Sequence, residues 1–197
     1  TTSVTEFTDG FEDYFIRTDG SDIGGAIDYI SPVGASYFAA HDLDGEGGPA
    51  ITQMNFDNID ITGLTNVEFC VYLAEDDDGS NQDWDDSDYL HINYDVDNSG
   101  SFTPMIWVEN DGTQFNTAPQ IDTDFDGVGD GAEITDAFTT FSAAIAGAGN
   151  SLDIRIEIAL DSGDEDIAFD NLEVTGSCSS NTISTDAVSA LTFNVDC

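Results

Sequence analysis

A chain of 197 residues is long enough for one large β-sandwich, or for one domain with a small appendage. Its 40% hydrophobic content, with 13 Phe and 6 Tyr, excludes a disordered acidic tail, because there is enough apolar surface to build a core. Two basic residues, Arg17 and Arg155, face 41 acidic ones for a formal net charge of −39, and this excludes nucleic acid and anionic membrane surfaces as partners, since phosphate binding needs Lys and Arg.

Such a polyanion repels itself unless something neutralises it, and ion pairs cannot with only two cationic side chains. Divalent cations held at carboxylate clusters do so locally, and salty surroundings do so generally. No apolar run approaches the ~18–20 residues of a membrane span, so no membrane insertion is expected. No basic n-region with an apolar h-region opens the chain, as expected of a mature or excised piece.

The predicted elements follow a period of two. A turn-rich stretch, Asp44-Gly45-Glu46-Gly47-Gly48-Pro49, comes first. Ile59 and Ile61 mark a strand, and Val67, Phe69, Val71 and Leu73 mark the next. After an acidic turn region at residues 76–88, Leu90, Ile92, Tyr94 and Val96 repeat the pattern, and a short turn at 97–100 leads to Ile106 and Val108. The Gly/Asp-rich segment 122–131 precedes Phe141, Ala143 and Ile145. In Leu152, Ile154, Ile156, Ile158 and Leu160 every second residue is a large aliphatic. Residues 167–174 read as a closing strand. One face of each strand is apolar and the other polar, which predicts an all-β, antiparallel β-sandwich of jelly-roll type over residues 1–176. Residues 177–197 read as a C-terminal linker or extra strand, with 177–181 polar and 188–195 strand-like, able to open a following repeat.

Cys178 and Cys197 bracket a polar stretch. Their pairing would contribute about 3 kcal/mol in the chain-entropy picture and fits an oxidising exterior. Cys70 reads as a free core thiol. The spacing gives no zinc motif.

The sharpest motif places Asp122, Asp124, Asp126 and Asp130 at positions 1, 3, 5 and 9 of an EF-hand-type loop, with Gly127 at 6 and Glu133 at 12. Alternate carboxylates in a tight turn converge on one hard cation; Val128 offers its carbonyl and Glu133 closes the shell. Flanking amphipathic helices are missing, so the loop is expected without the EF-hand fold. Three further acidic stretches are Asp42-Leu43-Asp44-Gly45-Glu46, then Asp161 with Asp164, Glu165 and Asp166 leading to Asp170, and then Asp76 to Asp78 with Asp83, Asp85, Asp86 and Asp88. The last reads equally as a solvated loop. Asp170 stands out because Ala168, Leu172 and Val174 are expected to look inward, and a carboxylate on an apolar face is costly unless paired or metal-bound.

Gly10-Phe11-Glu12, together with Ile167-Ala168-Phe169-Asp170-Asn171-Leu172-Glu173-Val174, resembles the frame of carbohydrate-binding-module-type jelly rolls. That resemblance implies a structural calcium shared by Glu12 and Asp170, joined by Asp42 or Asp44. Residues 37–45, 56–65, 122–130 and 163–170 also resemble jelly-roll repeats of large secreted bacterial surface proteins. This implies an extracellular or cell-surface location, Ca2+ as cofactor, and neighbouring repeats or subunits of the same protein as partners.

The residues offer three classes of function. An enzyme lacks a convincing constellation: there are two histidines, His41 and His91, no lysine, and so many acids that paired carboxylates discriminate nothing. The chain is therefore expected to be non-catalytic, although such domains also sit beside secreted hydrolases. A carbohydrate-binding module needs aromatic platforms, and Trp84, Tyr89 and Trp107 are the candidates, with cell-surface glycans as partners. The leading expectation is a calcium-stabilised structural or adhesive domain of a secreted surface protein or appendage.

Overall fold

The computed structural model describes residues 2–4, 6–9, 13–24, 27–45, 48–76, 84–113, 115–178, 182–183 and 191–192. Its strands are β1 (Thr2–Val4), β2 (Phe7–Asp9), β3 (Asp13–Thr18), β4 (Tyr37–His41), β5 (Thr52–Asp60), β6 (Leu64–Ala74), β7 (Tyr89–Val96), β8 (Thr103–Glu109), β9 (Gln120–Asp122), β10 (Thr139–Ala144), β11 (Ser151–Ala159), β12 (Asp166–Cys178), β13 (Thr182–Ile183) and β14 (Leu191–Thr192). Among the described residues there is no helix. One six-stranded sheet runs β1-β5-β11-β7-β8-β9, and a second runs β10-β6-β12-β4-β3-β2. Strands β13 and β14 pair with each other, and every strand pair is antiparallel. The two large sheets pack face to face as a sandwich.

Alternation puts the core between them. Leu152, Ile154, Ile156 and Ile158 of β11 are at most 2% exposed and meet Phe69, Val71, Leu73 and Phe169 of the facing sheet. Each such side chain contributes on the order of 1.5–3 kcal/mol by leaving water. Strand β11 sits between β5 and β7, and β12 between β6 and β4, so the two most apolar strands are central.

The closing strand corrects the expected phase of Asp170. Ile167 and Phe169 face the core, whereas Ala168 turns to the outer face. A register shift follows Asp170, with Asn171 at φ 47°, and the extra residue returns Leu172 and Val174 to the core side. Asp170 therefore shares no face with them. Its burial comes from the β3–β4 connection, which folds over the outer face and builds a second cluster with Tyr14, Ile23, Tyr29, Tyr37 and Phe138. Asp170 Oδ2 accepts the Val33 N–H at 2.7 Å, and Tyr29 donates to Asp166 Oδ1 at 2.6 Å.

Strand β12 continues through Cys178, beyond the expected end of the domain strand. Cys178 is disulfide-bonded and Cys70 is free and half-buried. Its expected partner, Cys197, lies outside the described residues, as does most of the strand-like segment 188–195. Among the described residues no helix is long and apolar enough to cross a membrane.

Ile156→Ala empties the centre of the core. It should lower the unfolding free energy by about 2–5 kcal/mol in urea denaturation at fixed calcium and salt.

Candidate metal centres and an aromatic row

Carboxylates outnumber cations so heavily that the backbone becomes their main partner. His91 Nε2 meets Glu109 Oε1 in a short side-chain contact. Arg155 donates to Asn55 Oδ1 at 3.3 Å and covers the Phe102 ring at 3.9 Å. Acidic side chains instead accept nearby N–H and hydroxyl groups. Hydrogen bonds from Ser21 to Asp19, from Thr62 to Asp60, from Asn150 and Ser151 to Asp97, and from Thr113 to Asp111 hold these carboxyls below the usual range.

The 122–133 segment is built this way. Asp122 ends edge strand β9 and is 1% exposed. Its Oδ1 accepts the N–H groups of Asp124 at 3.1 Å and Phe125 at 2.6 Å, and its Oδ2 accepts that of Gly127 at 2.8 Å. Those bonds curl the chain, with Phe125 at φ 60° and Gly127 at φ 87°. Asp124 and Asp126 are brought back to Asp122, so that one oxygen from each lies within 4.8 Å of the others. Repulsion from Asp126 raises the Asp124 carboxyl above its ordinary value. Asp130 is turned elsewhere: its Oδ1 accepts the Thr123 N–H at 2.9 Å and hydroxyl at 2.7 Å, which lowers its carboxyl. Glu133 is exposed and its backbone bridges to Gln120. The Val128 side chain is 38% exposed. Of the expected shell the structure thus gathers Asp122, Asp124 and Asp126. These three carboxylate oxygens could together hold a metal ion.

Of the calcium ligands expected, Glu12 and Asp170 joined by Asp42 or Asp44, the structure separates Asp170 from Asp42. Glu12 lies outside the described residues. Asp166 pairs with His41, so Asp170 lies about five residues from Asp42 along the β12–β4 ladder, roughly 15 Å. Its two oxygens accept the Val33 and Asn171 N–H groups, each at 2.7 Å. Asp42, at φ 42°, sits against the buried Asp13, and burial followed by Asp13 raises its carboxyl. Asp44 is exposed.

The aromatic candidates separate. Trp84 is 0% exposed and its indole N–H donates to the Asp166 carbonyl at 3.0 Å, so it is a core residue and presents no platform. Its place within an acidic segment concealed that. Tyr89 and Trp107 are half-buried and sandwich His91, with ring centroids 4.2 and 3.8 Å away. Trp107 donates to Asn93 Oδ1 at 3.0 Å. The register places Gln53, Glu157, His91, Trp107 and Asp122 in one row across five strands. Phe125 of the 122–133 segment packs edge-on against Trp107 at 5.6 Å. His91 is the centre of this row.

Fold and site together define an antiparallel β-sandwich with a loop of three converging carboxylates at one sheet edge and an aromatic row beside it. No family model and no curated protein sequence matches the chain. Among solved structures it is similar to the K2 cleaved adhesin domain of Lys-gingipain, at 15% identity and TM-score 0.41, over 87% of this chain and 99% of that one. It is also similar to a family 16 carbohydrate-binding module, at 11% identity and TM-score 0.36, over 84% and 86% of the two chains. An arabinose-bound α-L-arabinofuranosidase matches at 11% identity and TM-score 0.39, over 86% of this chain, which spans only 22% of that enzyme's length. At these identities the likeness is one of fold and carries no residue-level correspondence.

The two kinds of loop carboxylate should separate on substitution. Asp122→Ala leaves three N–H groups without their acceptor and should cost roughly 1–3 kcal/mol even in chelator. Asp124→Asn relieves repulsion, and should be neutral or stabilising in chelator but lose stability gained from calcium. Urea titrations of both variants with and without calcium check this.

Proposed function

We propose that the chain is a calcium-stabilised structural or adhesive domain of a secreted bacterial surface protein or extracellular appendage, with no catalytic role. The observation that carries the reading is the convergence of Asp122, Asp124 and Asp126 on a loop whose shape their own backbone imposes. A bound calcium there offsets the like charges and fixes the end of edge strand β9. The disulfide at Cys178 supports an oxidising exterior. Neighbouring repeats or subunits of the same protein are the expected partners, because calcium-stiffened sandwiches in tandem make a rod.

Thermal unfolding in saturating calcium and then in excess chelator, at constant high sodium chloride, tests this. Calcium at ~100 times its dissociation constant adds about 2.7 kcal/mol per site, or roughly 5–11 °C for a chain of this size. Equal melting temperatures would leave general screening by salt as the reason for the acidity.

A second reading, a carbohydrate-binding domain, is favoured by the half-buried Trp107–His91–Tyr89 stack with Glu157, Asn93 and Asp122 around it. Such a row offers a ring face to a sugar and carboxylates and amides to its hydroxyls. On this reading Trp107→Ala abolishes retention on immobilised glycans without lowering the melting temperature. Retention unchanged in that variant would discard it.

A further inference from the structure

We propose a second divalent-cation site, made by Asp85, Asp88, Asp161 and Glu165, that clamps the β6–β7 connection to the β11–β12 connection and takes Ca2+. It shares no ligand with the Asp122 loop, so each site stands or falls alone.

One carboxylate oxygen from each of the four residues lies within 4.8 Å of all the others. That is about twice a calcium–oxygen distance of ~2.4 Å, the span of ligands facing each other across one ion. Asp88 and Glu165 form the floor, each 1% exposed, while Asp85 is half-buried and Asp161 exposed, leaving an entry from solvent. Backbone N–H groups have fixed the floor already. Asp88 Oδ2 accepts the Asp85 N–H at 2.6 Å; Glu165 Oε2 accepts those of Asp161 at 2.6 Å and Ser162 at 2.7 Å. Each buried carboxylate thus uses one oxygen to fold its own loop and to seat the second acid of that loop. Ser87 Oγ lies 2.7 Å from Asp85 Oδ1 and 2.9 Å from Asp161 Oδ2, joining the two loops.

The independent sign of a ligand is Asp88 Oδ1, which is buried and meets no N–H or hydroxyl donor, the group facing Asp88 being the Glu165 carboxyl. A buried carboxylate oxygen with no donor is costly unless a proton or a cation meets it. Neither arginine serves: Arg155 is engaged with Asn55 and Phe102, and Arg17 is exposed on β3. An all-carboxylate donor set without His or Cys selects a hard ion, and its irregular, partly open form suits calcium better than octahedral magnesium.

Each site has its own tryptophan. Trp84 precedes Asp85 and bonds to Asp166, beside Glu165; Trp107 pairs with Asp122. The test is terbium luminescence excited through tryptophan in the Trp107→Phe full chain, followed by displacement with calcium. Sensitised emission should persist from Trp84, and calcium should quench it. Glu165→Gln and Asp88→Asn should each weaken terbium affinity by roughly 10–100-fold or more, whereas Asp124→Asn should leave it unchanged. Asp161→Asn, at the exposed rim, gives the same readout if a floor variant fails to fold. Three outcomes would overturn the site: no emission in Trp107→Phe, emission that calcium does not displace, or affinity indifferent to all three acidic substitutions. Loss of the signal from Trp107 alone, in Asp124→Asn with wild-type Trp107, reads out the Asp122 loop separately.

Discussion

Uncompensated negative charge is the constraint on which the rest of the structure depends. With 41 acids and two arginines, side-chain ion pairing is not available as a general solution. Backbone N–H groups substitute for it. They are partial positive charges that a turn can aim at one carboxylate, and they cost no additional side-chain ordering. Asp95 shows the pattern at the β7–β8 hairpin, where it accepts N–H groups of Ser99 and Gly100 at 3.1 and 2.7 Å. Asp97 does the same across the sheet end, holding Asn150 and Ser151. The acidic loops are therefore shaped by their own carboxylates before any ion arrives. Exposed carboxylates beyond this can be screened by salt, but Asp88 and Glu165 are closed off from solvent, and diffuse counter-ions do not reach them as effectively.

Strands with one buried face were legible in the sequence. Strands β6, β7 and β11 alternate because the core lies on one side of them and solvent on the other. Strand β3 was not legible, since only Arg17 among its residues is exposed. Both of its faces are covered, one by the facing sheet and the other by the β3–β4 connection, so the alternation disappears. Asp170 was misphased for a different reason. Counting by two assumes an unbroken ladder, and the bulge after Asp170 breaks it at a residue whose type does not announce it.

The candidate sites were legible only where ligands are close in sequence. Spacing was enough to bring out Asp122, Asp124 and Asp126. It could not tell that Asp130 is taken up by Thr123, because an acid that organises a loop and an acid that binds an ion look alike in a motif. The second cluster was read as two unrelated acidic turns. Its halves lie 74 residues apart between Ser87 and Asp161, and only the pairing of β11 with β7 and the return through β12 bring them together. The cue available in sequence was Trp84, a large apolar residue in an otherwise polar segment. Its burial pins that segment to the sandwich and carries Asp85 and Asp88 inward with it.

The structural and carbohydrate-binding readings meet at Phe125. It lies between Asp124 and Asp126, in a left-handed conformation that ordinary residues rarely adopt, and its ring rests on Trp107. The N–H of Phe125 is held by Asp122, so the carboxylate that shapes this loop also sets the edge of the aromatic row. On the proposed reading, an ion drawing Asp124 and Asp126 toward Asp122 would hold the backbone on both sides of Phe125. The wall beside Trp107 would then be fixed by the same event that stabilises the domain. Were the aromatic row a recognition surface, it would need no separate device to depend on calcium, because one loop residue would couple the two through a single aromatic contact.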